Sequence, residues 1–233
     1  MTITVVLFDL DDTLFAHRYA VDTAIARFLD TDDPAEVTRW HELEELHYPR
    51  YLSGELGLIP QRRVRSRAMA APYGLALSTD AEADDWYDRY FVEYKRAWAL
   101  HDDTIPCLDA LDAAGLRIGL ITNGDLAFQT EKLEATGLDA RLEHVIASGE
   151  VGVAKPDARI FAIACERFGV APSQAVYVGD RLQTDAAGAA KAGLTGVWLD
   201  RSGAGAVDEA AAPDPAAGIR IITTLAELPG MLA

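Results

Sequence analysis

Acidic side chains follow the first apolar run of the chain. Val5–Phe8 is apolar throughout, and Asp9, Asp11, Asp12 and Thr13 come within the next five residues. Two like charges about 4 Å apart cost about 4 kcal/mol at an effective dielectric constant of 20, so clustered carboxylates favour a bound cation. Mg²⁺ binds to carboxylate oxygens of this kind. The spacing therefore predicts a metal-assisted site, in which one aspartate can itself act as a nucleophile.

Polar residues also follow three later segments of the chain. They are Thr122, Asn123 and Gly124 after one apolar run, Lys155 after a glycine-rich stretch, and Asp180 and Asp185 after another apolar run. The carboxyl ends of parallel strands lie at one edge of a sheet, and open α/β sheets bind ligands at that edge. We therefore expect these residues to meet Asp9 in one site, although they are distant in sequence.

The second half of the chain alternates between helical and strand patterns. Helices are predicted over residues 106–114, 126–136, 158–168 and 184–192, and strands over residues 116–121, 145–147, 175–178, 196–199 and 219–222. A glycine follows each helix, as is typical where a left-handed residue ends a helix. This alternation predicts an α/β fold with a doubly wound parallel sheet.

Residues 15–100 have a different pattern, with many helix formers and no convincing strand. Apolar and aromatic residues recur there at helical spacing: Trp40, Leu43, His47 and Tyr51. We therefore expect a core domain over residues 1–15 and 101–233, with an α-helical domain inserted over residues 16–100.

The composition narrows the possible partners and location. The chain has 233 residues, half of them apolar, and a formal charge of −16. Such an acidic chain is a poor partner for nucleic acid or an anionic membrane. It shows no signal peptide and no apolar stretch of membrane-spanning length, and two cysteines give no disulfide framework, so we expect a cytoplasmic protein. Residues 202–217 are predicted to form a loose surface connection.

Four ordered motifs carry a family resemblance: FDLDDTL, ITNG, the lysine of AKP, and VGDRLQTD. With these motifs the chain resembles the haloacid dehalogenase (HAD) superfamily, in its phosphatase branch. The resemblance covers the whole chain. It implies a Rossmann-like core and a helical cap inserted between the first and second motifs.

The resemblance also implies catalytic roles. Asp9 is expected to attack phosphorus and form an aspartyl-phosphate, while Asp11 serves as general acid and base. Thr122 is expected to bind a phosphoryl oxygen, helped by the backbone N–H groups of Asn123 and Gly124. Lys155 is expected to neutralise the phosphoryl oxygens or the Asp9 carboxylate.

The metal site follows from the same resemblance. Mg²⁺ is expected to bind Asp9, Asp180 and the backbone carbonyl of Asp11. For Asp185 two roles stay open: it supports a metal-bound water or Lys155, or it binds the metal directly.

Other polar or reactive residues have structural interpretations. Asp12 is expected to cap a turn, and Thr13 to hold the loop through bonds from its hydroxyl to the backbone. Cys107 and Cys165 are expected to be small core side chains.

Asp11 separates the branches of the family. Its presence favours hydrolysis of phosphate esters, because displacement of halide needs no acid to protonate the leaving group. A phosphomutase or a 2-haloacid dehalogenase of the same superfamily remains an alternative. From other classes, a phospho-aspartate signalling receiver and a non-catalytic binding protein are also considered, but a receiver has no large insertion after its first strand.

The expected substrate is a small phosphorylated metabolite, and the protein is expected to be a monomer or homodimer. The inserted region holds a basic cluster, Arg62, Arg63, Arg65 and Arg67. This cluster either captures a second anionic group or forms a helix face that balances nearby acids. The histidines and aromatic residues of the region are expected to serve packing or the surface: His17, His41, His47, Trp40, Tyr48 and Tyr51.

Overall fold

Among the residues that the structure describes, six parallel strands form a single sheet. They are β1 (Val5–Phe8), β2 (Arg117–Thr122), β3 (His144–Ala147), β4 (Ala175–Gly179), β5 (Thr195–Leu199) and β6 (Arg220–Ile222). Their spatial order is β3-β2-β1-β4-β5-β6, and each neighbouring pair is parallel. The computed structural model describes residues 2–202 and 218–232, so most of the predicted connection at 202–217 lies outside the described residues. The predicted α/β class with a doubly wound parallel sheet is confirmed.

The strand order reverses between β1 and β4, and this reversal places a ligand crevice at their carboxyl ends. β1 is the central strand and all four of its residues are buried, as expected for a strand covered on both faces. Phe8 lies level with Leu120 of β2 and with Val178 of β4. Asp9, which follows β1, therefore begins beside the last residues of β2 and β4.

The chain folds as two units. The core unit comprises Met1–Ala16 and Ala99–Ala233, and the helical unit comprises His17–Trp98. The helical unit consists of α1 (His17–Leu29), α2 (Pro34–Leu52), α3 (Leu58–Ala70) and α4 (Asp80–Arg96), with a short 3-10 turn after α3. Thr79 begins α4 in a capping box with Glu82, which satisfies backbone donors that the first turn leaves free.

Aromatic side chains form the interior of the helical unit. Trp40 on α2 and Trp86 and Tyr90 on α4 are at most 3 % exposed. The Trp40 indole N–H donates to the Tyr90 hydroxyl at 3.0 Å, so the polar atoms of both rings are satisfied. The packing interpretation therefore accounts for Trp40, and Tyr48 and Tyr51 contact each other with ring centroids 5.6 Å apart.

The four arginines of α3 all contact side chains of the helical unit. Arg62 lies over the Tyr87 ring, Arg63 pairs with Asp80 and Asp84, Arg65 pairs with Glu44, and Arg67 pairs with Asp80. These contacts join α3 to α2 and α4. Of the two interpretations of the cluster, the structure favours charge pairing and packing between helices over capture of an anionic ligand.

The remaining helices belong to the core unit. They are α5 (Thr104–Ala113), α6 (Leu126–Thr136), α7 (Ser148–Val151), α8 (Ala158–Phe168), α9 (Gly188–Lys191) and α10 (Leu228–Leu232). Ile160, Phe161 and Ala164 of α8 pack on Val5 and Leu7 of the sheet. Cys107 and Cys165 are free and buried, as predicted. Among the described residues, no helix combines the length and apolar character that crossing a membrane requires.

The segment after β4 differs from the prediction of a helix over residues 184–192. A π-helical turn, Leu182–Ala187, precedes the short α9. Within this turn the Asp185 carboxylate folds back to accept the backbone N–H of Arg181 at 3.0 Å. It lies against Gly179, where a Cβ would come within 2.5 Å of the Asp185 Oδ2 atom. The wider turn is therefore coupled to the position of a carboxylate, as is frequent at functional sites.

Candidate active site

Three carboxylates converge where β1 and β4 end. Asp9 follows β1, while Asp180 and Asp185 follow β4, and one carboxylate oxygen from each lies within 4.8 Å of the others. The Asp9 N–H donates to the Val178 carbonyl at 2.9 Å, which continues the pairing of these strands up to the site. The sheet therefore brings together acids that are more than 170 residues apart in sequence, as the strand-end argument predicts.

The loop after Asp9 is held by its backbone. The Leu10 carbonyl accepts the N–H groups of Thr13, Leu14 and Phe15, and Asp12 takes a φ of 59°. A non-glycine residue in this left-handed region is uncommon, and aspartate tolerates it better than most residues. The loop is therefore a tight turn with a fixed direction.

The expectation for Thr13 is corrected. Its hydroxyl oxygen is buried and has no hydrogen-bond partner among the described residues, so it does not hold the loop. Arg201 does so instead, since its guanidinium donates to the carbonyls of Asp12 and Thr13 at 3.2 and 2.7 Å. Asp103 holds Arg201 in turn through two bonds of 2.9 and 3.0 Å. Sequence motifs missed Arg201 because it lies beyond the last of them.

Lys155 lies at the centre of the charge cluster and is 6 % exposed. Its Nζ donates to Asp9 Oδ1 at 2.5 Å, to Asp185 Oδ1 at 2.7 Å and to the Tyr177 hydroxyl at 2.7 Å. Burial opposes the charge on this lysine, but Asp185 and Asp9 outweigh that effect and raise its pKa. Lys155 is therefore a fixed cation beside the Asp9 carboxylate.

Asn123 fixes the segment that carries Lys155. Its side-chain amide donates to the Lys155 carbonyl at 3.0 Å, and its side-chain oxygen accepts the Lys155 N–H at 2.8 Å. The Gly124 N–H, which is expected to help bind a phosphoryl group, donates here to the Ser148 hydroxyl at 2.8 Å. Ser148 lies at the start of α7, so this bond joins two loops of the site.

Asp11 and Thr122 share a partner that sequence reasoning missed. Gln129 on α6 donates through Nε2 to Thr122 Oγ1 at 2.8 Å and to Asp11 Oδ2 at 3.3 Å. Lys132, one turn further along α6, donates to Asp11 Oδ1 at 2.7 Å. Gln129 and Lys132 lie three positions apart on the helix that follows the second motif, so they share one helix face. This spacing is the one sequence signal that pairs them, and it does not indicate that they are buried.

Burial sets the electrostatics of the acids. It raises the pKa of Asp9 to about 7, an effect that Lys155 opposes and Asp185 reinforces. Burial also raises the pKa of Asp180 well above its usual range, with Asp185 and Asp9 adding to the shift. The site therefore holds more negative charge than its own lysine stabilises.

Asp185, the third of the converging carboxylates, is 1 % exposed. One of its oxygens accepts from Lys155, and the other accepts the Arg181 N–H at 3.0 Å. Support of Lys155 is therefore an observed contact of Asp185.

The residues present fit a hard divalent cation. Asp9, Asp180 and Asp185 supply only oxygen atoms, and these atoms converge closely enough to share one ion. The raised pKa values of Asp9 and Asp180 show that the charged forms are held at a cost, which a bound cation offsets. This buried acidic triad could therefore bind a metal.

The comparison with protein families agrees with the fold and the site. The family described as haloacid dehalogenase-like hydrolase matches residues 3–193, which is most of the chain. The chain belongs to the haloacid dehalogenase-like hydrolases, and the predicted family membership is confirmed.

Curated relatives within this family include phosphatases. The chain is 34 % identical to a glyceraldehyde 3-phosphate phosphatase of Methanopyrus kandleri over 216 residues, covering 85 % of this chain and 84 % of that protein.

Solved structures of the same fold include a HAD-hydrolase and a dehalogenase. A magnesium-bound HAD-hydrolase from Bacillus subtilis, YfnB, superposes with a TM-score of 0.79 at 20 % identity, covering 100 % of this chain and 99 % of that chain. A dehalogenase with an intermediate complex superposes with a TM-score of 0.75 at 23 % identity, covering 100 % and 98 %. At these identities the two structures show only that the fold is shared. The chemistry of this chain has to be argued from the residues of its site.

Proposed function

We propose that the protein is a Mg²⁺-dependent phosphatase that hydrolyses a small phosphorylated metabolite through an aspartyl-phosphate on Asp9. One observation carries the proposal: the Asp9 carboxylate is held by the buried Lys155, while Asp11, two residues further on, is held by a separate pair of donors. This separation supports a role as nucleophile for Asp9 and a role as acid and base for Asp11. The phosphatase relative supports this proposal.

The proposed first half-reaction transfers the phosphoryl group to Asp9. One Asp9 oxygen attacks phosphorus, and the bond from phosphorus to the substrate oxygen breaks. Asp11 gives a proton to that leaving oxygen, so the product departs as an alcohol. The Thr122 hydroxyl donates a hydrogen bond to a phosphoryl oxygen. The Lys155 ammonium stabilises the charge that develops on the transferring group.

The second half-reaction releases phosphate. Asp11, now deprotonated, accepts a proton from a water molecule that attacks phosphorus. The bond between Asp9 and phosphorus breaks, and the Asp9 carboxylate is restored. The same residue acts first as acid and then as base, so both half-reactions depend on its position.

Asp9, Asp180 and the backbone carbonyl of Asp11 would hold the proposed Mg²⁺, and Asp185 would support it or join it as a ligand. When bound, the ion supplies positive charge that offsets repulsion between the Asp9 carboxylate and an anionic phosphoryl group. The fit of the buried acidic triad to a hard cation supports this assignment.

A dehalogenase function fits the site less well. Displacement of halide by Asp9 needs no proton donor, so it gives no role to Asp11. Here both oxygens of the Asp11 carboxylate accept hydrogen bonds from two buried side chains on α6. The support given to this proton donor favours a substrate whose leaving group is an oxygen atom.

We also propose that the helical unit is the cap of this family, and that the protein works in the cytoplasm. The two free, buried cysteines support a reducing compartment. A small phosphorylated metabolite is the proposed partner, and the acidic charge of −16 argues against nucleic acid. The monomer or homodimer expected from the sequence stays a prediction.

The test is a phosphate-release screen over a panel of phosphorylated metabolites and 4-nitrophenyl phosphate. It is run with Mg²⁺, with chelator, and with Asp180→Asn in place of the wild type. We expect metal-dependent release by the wild type, and a large loss in the variant at equal Mg²⁺. Release that is unchanged by chelator would contradict the metal assignment, and absence of release from the whole panel would contradict the phosphatase.

A further inference from the structure

Gln129 and Lys132 hold both oxygens of one carboxylate. They lie on α6 and each is 2 % exposed. Lys132 Nζ donates to Asp11 Oδ1 at 2.7 Å, and Gln129 Nε2 donates to Asp11 Oδ2 at 3.3 Å. Neither residue belongs to the four motifs that define the site. Asp11 is therefore held from α6, an element that follows the second motif.

The burial of Lys132 needs an explanation. Its ammonium group lies 5.0 Å from the centre of the Phe15 ring and 4.8 Å from that of Phe128, while its side chain is only 2 % exposed. The Asp11 side chain is 31 % exposed, so water could solvate this carboxylate without help. Taking a lysine out of water costs several kcal/mol, which such a partly exposed partner does not require. The ion pair with Lys132 and the hydrogen bond from Gln129 fix the direction of the Asp11 carboxylate.

Gln129 ties Asp11 to the phosphoryl-binding threonine. The Gln129 NH₂ faces Asp11 Oδ2, and it can donate to Asp11 in the ionised form in which this residue acts as base. The same NH₂ donates to Thr122 Oγ1 at 2.8 Å. Because the Thr122 oxygen accepts this bond, its own proton remains available to donate to a phosphoryl oxygen. One amide therefore orients both the acid and the hydroxyl.

We propose that Lys132 and Gln129 are positioning residues for proton transfer by Asp11 and for the Thr122 hydroxyl. The proposal rests on the phosphatase function and adds two residues to it. The hydrogen bonds from Lys132 and Gln129 to Asp11, together called the clamp, hold Asp11 in one rotamer. Proton transfer to the leaving oxygen then begins from a fixed geometry. A misplacement of about 1 Å is enough to cost about 10²-fold in rate.

The test compares leaving groups. kcat/KM reports the steps up to departure of the first product, where an alkyl oxygen needs a proton and a 4-nitrophenyl oxygen leaves without one. We expect Lys132→Met to lower kcat/KM by about 10²-fold for the best alkyl phosphate of the panel, and less than about threefold for 4-nitrophenyl phosphate. Lys191→Met makes the same change at an exposed lysine and should leave both values unchanged.

A second comparison separates positioning from general damage. In an Asp11→Asn background, Lys132→Met should cause no further loss of kcat/KM for the alkyl phosphate, because the lysine acts through Asp11. Equal losses for both leaving groups, or losses that add in the double variant, would overturn the proposal. Gln129→Leu should lower kcat/KM for both leaving groups, because Gln129 also orients Thr122, and should lower it more for the alkyl phosphate. This excess loss for the alkyl phosphate carries the test if Lys132→Met does not fold. Failure of the phosphatase function is recognised separately, since the wild type would then release no phosphate.

Discussion

Two carboxylates at the site of the core unit and one carboxylate of the helical unit respond to folding in opposite directions. In the core unit, burial raises the pKa of Asp9 to about 7 and that of Asp180 well above its usual range. In the helical unit, burial also acts on Glu44, but Arg65 and His17 outweigh it and hold the pKa of Glu44 well below its usual range. A raised pKa means that the charged form costs stability, and a lowered pKa means that it supplies stability.

This contrast separates two uses of charge in one chain. The site of the core unit holds Asp9 and Asp180, whose charged forms cost stability, which is typical of a site that binds a cation or reacts. The helical unit pairs each arginine of α3 with an acid or an aromatic ring, which joins its helices. Substitutions in the first region should therefore change activity most, and substitutions in the second should change stability most.

The largest effect is expected at Asp9. Asp9→Asn removes the nucleophile, and we expect kcat for phosphate release to fall by at least about 10⁴-fold while the fold is kept. Asp88→Asn makes the same chemical change at an exposed position of the helical unit and should leave kcat unchanged. Normal turnover by Asp9→Asn would show that Asp9 is not the nucleophile. It would also contradict the claim that substitutions at the core site change activity most. The measurement is steady-state phosphate release, with circular dichroism to check folding.

Lys155 should show the next largest effect. Lys155→Met removes the cation that contacts Asp9 and Asp185, and we expect kcat to fall by about 10²–10³-fold. The steady-state rate with 4-nitrophenyl phosphate measures this loss. If the variant lost stability but kept its kcat, Lys155 would be a structural cation of the kind found in the helical unit.

Arg65 tests the helical unit. It is 3 % exposed, lies 4.3 Å from the centre of the Trp40 ring and pairs with Glu44. Arg65→Met leaves the Glu44 carboxylate without its main cation, and we expect the free energy of unfolding to fall by about 2–4 kcal/mol. Urea denaturation measures this loss, and kcat should change by less than about threefold. A raised KM with unchanged stability would instead support capture of an anionic group by this arginine.

The pH dependence of stability should separate the two units with a smaller effect. The pKa of Asp9 is raised on folding, so its contribution is present at low pH and is lost as the pH rises from about 4 through about 7. In chelator, Asp9→Asn should therefore become more stable than the wild type towards pH 8, by on the order of 1–2 kcal/mol. Glu44 has the opposite sign, and its contribution is present above about pH 4.5 and lost below it. Parallel melting curves for wild type and Asp9→Asn from pH 5 to 8 would contradict this account.

Much of the fold and of the site could be predicted because the pattern of each strand ends where the chemistry begins. Asp9, Thr122 and Asp180 follow or end apolar strands, and parallel strands bring such ends to one edge. The reversal of strand order then places Asp9 and Asp180 side by side.

The clamp on Asp11 could not be predicted in the same way. A lysine on a helix normally extends its charge to water, so the sequence gives no reason to expect Lys132 buried. Its partner lies 121 residues away, and only the folded chain brings them together. The π-helical turn after β4 was missed for a similar reason, because it depends on where the Asp185 carboxylate must lie.

Trapping the covalent intermediate tests the central claim most directly. The wild type is mixed with Mg²⁺ and its best substrate, quenched in acid during turnover, and digested for mass spectrometry. We predict that the peptide containing Asp9 carries one added phosphoryl group located on that residue, and that Asp9→Asn carries none. Turnover of the substrate by the wild type with no phosphoryl group on Asp9 at any quench time, together with unchanged turnover by Asp9→Asn, would contradict the account.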